Sequence, residues 1–484
     1  MNIKQLKTFT IIQLAYQLSQ ECGVPIYLVG GAVRDVLMGF FYGKDFDFTL
    51  GESWERVTRL FAEKTRGKVI SWDFNQKRVI VRSGDDTITV DFAKFKGVYI
   101  EDDLSARDFT INSMAVAVDE LFLKRNPKLI DPLDGKKHVI EKIIKADSPS
   151  VFDQDPIRIL RAIRFAAAFN FSIENKTKSL MRKKASLVSM VAAERIKREL
   201  FAMLDLERAP VAVQLLVQVG VVQQLIPELR LFSLTKQGLP HQYTLLQHSL
   251  KTIGFLADML KNPEKHFKGC GPQVRDYFKQ NIEEGIITRR ALLVCAGFLH
   301  DSGKITTRTH EEKTIRFYGH ETAGAELNEE IARRMLLGKK ARRILEMITR
   351  NHMRILQLTT GCKITERAII RLLRDITEAP LEVVLLALAD TYATSTDKGY
   401  KNTQENVKQL VRLLLKRYSA PDHAMPAKAL VTGNDIMQIM GIPEGRAVGK
   451  ILREIHEGER TGLLNSRQEV ITWLKKKKRS KSSF

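Results

Sequence analysis

The chain of 484 residues predicts an α+β protein, with a mixed α/β head at the front and an all-helical remainder. Two observations predict this. Short runs rich in β-branched and aromatic residues, ended by turn residues, are confined to residues 1–145. From about Ser150 onward the apolar residues recur at the i, i+3, i+4 spacing of packed helices. The length itself supports about two to four domains.

The elements follow in order. YLVGG (27–31), DFDFTL (45–50), KRVIVRS (77–83) and TITVDFAKF (87–95) read as strands. VFDQDPIRILRAIRFAAAF (151–169), LVSMVAAERIKRELFAMLD (187–205) and APVAVQLLVQVGVVQQLI (209–226) read as helices. Residues 245–400 continue as helix, with a polar stretch over 261–285 expected to be a loop or insertion. The two prolines of SAPDHAMPAKA (419–429) mark a boundary, and the chain closes on the basic run WLKKKKRSKSSF, which lacks apolar periodicity. A solvated end and a weak attraction for RNA are equally good readings of that run. The resulting domains are 1–145, 146–238, 239–420 and 421–484.

Composition narrows the function. Hydrophobic residues make up 44% and charged residues 28%, an ordinary globular balance. With no run of about eighteen apolar residues and no signal-peptide pattern, a cytoplasmic protein without a membrane partner is expected. Cys22, Cys270, Cys295 and Cys362 are scattered, which suits reduced thiols better than a disulfide framework or a zinc ribbon. The formal net charge of +22 points to a polyanion. Nucleic acid is favoured over a membrane surface, because no lipidation motif or basic amphipathic helix concentrates the charge.

In LVGGAVRDVLMG, Gly30 and Gly31 follow a strand and open a helix. Such a turn lets backbone amides approach a triphosphate, and Arg34 on the first helical turn would reach the same phosphates. Asp45 and Asp47, two apart on a strand, share one face. Paired carboxylates repel unless a cation compensates, and hard oxygen donors suit Mg²⁺. Asp91 on another strand would supply a third carboxylate to a two-metal site. Further on, Asp155, Arg158, Arg161 and Arg164 recur every three residues along a helix. Asp155 offers acceptors and Arg158 donors, matching the exocyclic amine and ring acceptor shared by C and A. Asp155 before Pro156 also fits a helix cap, although capping leaves the arginines unexplained.

G-G-A-V-R-D-x-L-x-G, D-F-D, Arg107-Asp108-Phe109-Thr110-Ile111-Asn112, Asp155-Pro156-Ile157-Arg158 and Glu194-Arg195-Ile196 with Glu199-Leu200 occur in that order over residues 25–235. In this the chain resembles the class II tRNA nucleotidyltransferase and bacterial poly(A) polymerase family. The resemblance implies a polymerase-β-like head with a mixed sheet, followed by a helical neck and body that bind nucleotide and RNA. It implies that Gly31 and Arg34 contact the triphosphate, and that Asp45 and Asp47 bind the catalytic metals. Arg107, Asp108 and Asn112 would lie along the sugar and phosphates, Asp155 and Arg158 would read the base, and Arg161 and Arg164 would line the triphosphate path. Two departures are visible: Ala106 stands where the family commonly has a second arginine, and Gln154 where it commonly has glutamate. Neither touches a residue given a direct role.

A second constellation comprises His248, the adjacent pair His300-Asp301, His320, His352 and Asp390. Its pattern resembles the HD phosphohydrolase superfamily. That implies metal ligation by His248, His300, Asp301 and Asp390, with His320 and His352 fitting an additional metal position. Imidazole with carboxylate suits Mn²⁺, Ni²⁺, Fe²⁺ or Zn²⁺. After it, Gly441, Gly445 and Gly449 resemble a small element that often follows such modules, where phosphate approach and tight helix packing are equally good readings.

The expected activity is template-independent transfer of CMP or AMP from CTP or ATP to a tRNA 3′ end. The alternatives are polyadenylation of other RNAs, or an HD phosphohydrolase with a nucleotide-sensing head. A non-catalytic RNA-binding protein has no use for the paired carboxylates. The short connection 92–106 between Asp91 and Arg107 leads us to expect synthesis of only part of the CCA end, because family members that make all of it usually carry a longer, flexible loop there.

Overall fold

Six strands form one sheet: β1 (Tyr27–Val29), β2 (Asp45–Leu50), β3 (Lys68–Asp73), β4 (Gln76–Ser83), β5 (Asp86–Lys94) and β6 (Ala115–Ala117). Their spatial order is β3-β4-β5-β2-β1-β6. β2 and β5 run parallel and the other pairs antiparallel, giving the mixed sheet and the α+β class that were expected. The computed structural model describes residues 3–41, 43–84, 86–311, 314–360, 364–395, 400–419, 430–460, 463–464 and 466–481. It divides into two units, Met1–Arg230 and Leu231–Phe484.

Strand alternation explains how β2 serves two purposes. Phe46 and Phe48 point into the core, where Phe48 stacks on Phe92 with ring centres 5.4 Å apart. Phe92 in turn meets Phe61 of helix α1 (Trp54–Thr65). With a period of two, Asp45 and Asp47 are left on the opposite face. β3 and β6 are additions to the four expected strands. Both are short, and neither alternates clearly in sequence.

Each helical run of the first unit breaks where its chemistry demands. Pro156 cannot donate to a continuing ladder, so the first run splits into Val151–Gln154 and α2 (Ile157–Phe169). The second begins as a 3-10 turn, Ala185–Met190, before α3 (Ala193–Leu204). The third is interrupted at Gly220, in the left-handed region at φ +85°.

In the second unit, α4 (Leu245–Lys261), α5 (Arg289–Leu299), α6 (His320–Arg334), α7 (Lys339–Asn351) and α8 (Pro380–Thr394) pack about a common core. Two expectations need correction. The 261–285 stretch is not loop: it folds as Pro263–His266 and Gly271–Phe278, because Cys270, Val274, Tyr277 and Phe278 form a buried stripe among polar neighbours. Residues 245–400 are also not wholly helical. Asn281–Glu283 pairs with Ile287–Thr288, and Thr309–Glu311 with Thr314–Arg316.

The C-terminal segment has its own core of Val431, Ile436, Met440, Val448, Ile451, Ile455, Leu464, Val470 and Leu474. The basic run begins as ordered helix, since Val470 and Leu474 anchor Arg467–Lys481. Gly441, at φ +68°, closes Gly433–Met440, whereas side chains at Gly445 and Gly449 would meet open space, so helix packing does not require glycine at either. Residues 420–429, 482–484 and Cys362 lie outside the described residues. Cys22, Cys270 and Cys295 are free thiols. No helix among the described residues is long and apolar enough to cross a membrane.

Candidate functional site

The first centre lies in the N-terminal unit where β1 ends. Gly30 takes φ +68° and ψ −130°, a region closed to residues with a Cβ. A Cβ there would also lie 3.1 Å from Arg107 Nη1 and 3.4 Å from Asp47 Oδ2. The turn thus brings together Gly30, Asp47 and Arg107. It leads directly into the helix Gly31–Met38, whose first amides have no intrahelical acceptor.

Asp47 sits directly opposite Asp91 across the parallel pair. Burial first, then the charge of Asp45, pushes the Asp47 carboxyl up to about 6 even though Arg107 opposes the shift. Burial and Asp91 likewise raise Asp45. Two oxygen donors short of positive charge fit a hard divalent cation. Asp91 differs: its two oxygens accept from Arg78 Nε and Nη2, each at 2.7 Å.

The nucleotide-binding candidates form one bonded chain. Arg34, only 7% exposed, donates to Asn112 Oδ1 at 2.6 Å and to Asp35, and lies 4.5 Å over the Phe169 ring. Asn112 donates to Asp108 Oδ1, which also accepts from the Phe109 amide. Asp108 Oδ2 accepts from Arg161 at 2.8 Å. Burial alone would raise Asp108, but the charge of Arg161 and the bonds from Asn112 and Arg161 outweigh it and hold the carboxyl below its ordinary value. Arg164 pairs with Glu199 at 2.7 Å. Arg158 donates to the carbonyls of Arg107 and Ala106 and to Gln154 Oε1. Both departures from the family pattern therefore do meet a residue given a direct role, contrary to the expectation. The arginine stripe of α2 docks that helix on the 106–108 turn and on α3.

Asp155 is a poor cap. The Ile157 amide is 3.4 Å from its Oδ1, while Oδ2 pairs with Arg195 at 2.7 Å. Arg195 was visible only as a motif letter. Asp103 was missed, although its spacing four before Arg107 is a helical pairing signal: it accepts from the Arg107 guanidinium at 2.8 Å and from the Lys96 amide. Asp102 accepts from the amides of Val98 and Tyr99. Around the short helix Ile100–Leu104, the connection to Arg107 is thereby bonded at both ends.

The second centre lies in the second unit and gathers all six expected residues from three helices and from the turns that end two more. His248 and His300 approach at 3.3 Å between Nε2 atoms, and so do His320 and His352. Asp301 stands between the pairs. Its Oδ2 is 3.2 Å from His300 and 3.5 Å from His248, and its Oδ1 is 3.3 Å from His320 and 3.5 Å from His352. Asp390 Oδ1 lies 2.9 Å from His248. The Nδ1 atoms of His300, His320 and His352 face the carbonyls of Gly297, Phe317 and Thr349. A carbonyl only accepts, so each Nδ1 carries a proton, which leaves each Nε2 as the ring atom aimed inward. Burial alone would lower His300, but the carboxylates of Asp301 and Asp390 push it up to about 10, so in the absence of an ion a proton holds that ring against them. His248, His300 and Asp390, or His300, Asp301 and His352, are grouped closely enough for a cation to take its place. Gly303 makes the assembly feasible, because a Cβ there would lie 2.1 Å from the His320 carbonyl oxygen. Lys304 Nζ donates to Asp301 Oδ2 at 2.6 Å.

The chain matches known proteins in both units. Residues 26–145 match the poly A polymerase head domain, 170–232 the probable RNA and SrmB-binding site of polymerase A, and 245–395 the HD domain. The CC-adding tRNA nucleotidyltransferase of Geobacter sulfurreducens is 29% identical over 464 residues, covering 96% of this chain and 94% of the relative. The A-adding tRNA nucleotidyltransferase of Deinococcus radiodurans is 27% identical, covering 93% and 94%. The Thermotoga maritima CCA-adding enzyme complexed with tRNA has a similar fold, with TM-score 0.61 and 20% identity over 98% of this chain and 95% of that one.

Proposed function

The chain belongs to the tRNA nucleotidyltransferase and poly(A) polymerase family, and we propose from that premise that it transfers CMP or AMP from CTP or ATP to the 3′ end of tRNA. The observation that carries this is the Asp45–Asp47 pair on the open face of β2, beside the Gly30 turn and Arg107. Asp45 and Asp47 would hold Mg²⁺. An ion held there would supply a lowered pKa at the primer hydroxyl and neutralisation of the departing pyrophosphate. The protein's own share is positioning and electrostatics. The Gly30–Gly31 turn and the first amides of the following helix receive the triphosphate. Arg107, held by Asp103, brings positive charge to the same turn. Asp155, oriented by Arg195, and Arg158, oriented by the 106–107 carbonyls, face the base edge. Arg34, Asp108, Asn112, Arg161 and Arg164 set the floor on which these groups sit, and any contact of theirs with sugar or phosphate exchanges for an internal bond.

The product we propose is part of the CCA end. The bonded 96–107 connection supports this, as does similarity along nearly the full chain to relatives named CC-adding and A-adding. Incubating tRNA lacking CCA, and tRNA ending in CC, with CTP and ATP separately tests both claims. No incorporation with release of pyrophosphate would end the transferase reading. A complete CCA end built by this protein alone would end the partial-product reading, and long A tracts on any RNA would favour polyadenylation.

A second activity, metal-dependent phosphoester hydrolysis, is supported by the inward-facing Nε2 atoms of the second centre, with Mn²⁺, Ni²⁺, Fe²⁺ or Zn²⁺ as the suited ion. Metal-stimulated phosphatase or phosphodiesterase turnover tests it. We assign the work to a head (1–145), a neck region (146–238), an HD domain (239–420) and a C-terminal element (421–484) in the cytoplasm.

A further inference from the structure

Three neighbouring strands place Arg78, Asp91 and Asp47 on one rung of the sheet, since Arg78 is opposite Asp91 and Asp91 is opposite Asp47. Residues directly opposite in a sheet project on the same face. Arg78 therefore belongs to the metal-binding face, and its fork spans both oxygens of Asp91 at 2.7 Å. Asp91 is buried at 6% exposure, while Arg78 remains about one-third exposed at 31%. A bidentate guanidinium on a buried carboxylate is a strong, geometrically specific bond. It fills one lone pair on each oxygen and sets a positive charge beside them, so an ion drawn to Asp91 would meet the repulsion of the guanidinium.

We propose that Arg78 is a resident cation of the catalytic centre: by occupying Asp91 it leaves Asp45 and Asp47 as the metal-holding pair and makes the third carboxylate an anchor rather than a ligand. The inference rests on the transferase reading of Asp45 and Asp47. It revises the sequence expectation for Asp91. Physically, a fixed guanidinium leaves two net negative charges on the cluster instead of three, so the carboxylates can be held in place before any ion arrives.

The test is Mn²⁺ binding to the full chain, followed by electron paramagnetic resonance, together with thermal unfolding with and without Mn²⁺. The second-unit histidines add a constant background, so every variant is compared with wild type. Asp45→Asn should weaken binding about tenfold or more, whichever role Asp91 has. Arg78→Met should tighten binding about tenfold, because a third carboxylate becomes available and a positive charge is removed. Mn²⁺ should also raise its unfolding temperature more than that of wild type, since the ion replaces the lost guanidinium.

The decisive variant is Arg78→Met with Asp91→Asn, which removes the pair without changing net charge. Replacing both members of a buried pair is tolerated far better than removing one. Its Mn²⁺ affinity should stay within about threefold of wild type. A loss as large as that of Asp45→Asn would make Asp91 a ligand and overturn the proposal, as would weaker binding in Arg78→Met. If Arg78→Met does not fold, Arg78→Lys keeps the charge but not the fork and should tighten binding to a smaller degree. Unchanged affinity in that variant would also overturn the proposal. If Asp45→Asn leaves binding unchanged, the paired-carboxylate reading fails instead.

Discussion

Replacing Gly30 with alanine should impair transfer through two separable costs. Its φ of +68° with ψ −130° is a backbone conformation that a residue with a Cβ rarely adopts, and forcing it costs about 1–3 kcal/mol. The new methyl would also press on Arg107 Nη1 at 3.1 Å and touch Asp47 Oδ2 at 3.4 Å, an ordinary contact distance. Either the turn relaxes, moving the amides proposed to receive the triphosphate, or Arg107 shifts by a few tenths of an ångström. Misplacement at a reacting centre lowers rate by up to about 10²-fold as it approaches about 1 Å. Gly23→Ala is the control. Gly23 also has positive φ, at +66°, but a Cβ there meets nothing within 4 Å. It should lose about 1–2 kcal/mol of stability with single-turnover transfer unchanged. Single-turnover CMP transfer and thermal unfolding of both variants separate strain from site geometry. If Gly30→Ala transfers within about twofold of wild type (about 0.4 kcal/mol of barrier), or if Gly23→Ala loses as much rate, the turn does not position Asp47 and Arg107 as argued.

Asp45→Ala should lower transfer by about 10³-fold or more while the fold persists, because it removes a proposed metal ligand from the exposed start of a packed strand; turnover near normal with unchanged Mg²⁺ dependence would refute the assignment. Since Asp47 is raised from 3.8 to about 6, protons compete with the metal, and the Mg²⁺ concentration for half-maximal transfer should rise as pH falls through that value. In the metal-free protein the same shift has the opposite consequence for the fold. The folded state keeps a proton that the unfolded chain releases, so the contribution of Asp47 to stability is fully present below 3.8 and lost as pH rises through about 6. His300→Ala with Asp301→Ala should eliminate metal-stimulated phosphoester hydrolysis and spare nucleotide addition; loss of addition by a folded double variant would show that the second centre is not an accessory. With several basic side chains on phosphates, tRNA affinity should fall about tenfold or more between about 50 and 200 mM salt, and a flat response would detach the net charge of +22 from RNA binding.

What could be read from sequence was what local spacing encodes. Asp45 and Asp47 share a face because strands alternate, and Pro156 fits the start of a helix because its missing N–H costs nothing there. The six residues of the second centre were recognisable through the resemblance of their pattern to the HD phosphohydrolase superfamily, which implied their roles. What escaped depends on register and on partners far away in the chain. Arg78 reads as one more outward residue of KRVIVRS until hairpin pairing sets it opposite Asp91. Arg195 reaches Asp155 across 40 residues, and no periodicity announces that. The stripe of Arg158, Arg161 and Arg164 was seen, but its occupation by Ala106, Arg107, Asp108 and Glu199 was not, because helix spacing specifies a face and not what lies against it. The helix Arg467–Lys481 escaped for a different reason: four consecutive lysines masked an anchor of only two fully buried side chains, Val470 and Leu474.

The bonds from His300, His320 and His352 to carbonyls three residues behind them mean that each ligand is prepared by its own stretch of chain. None of the three needs a neighbouring ligand to hold its Nδ1 proton, so the orientation of each ring is set locally even though Asp301 links all of them. Such a centre can be dismantled singly. A lineage could exchange one histidine, lose the metal and keep the remaining rings oriented on an intact fold, and a single reversion would restore the centre.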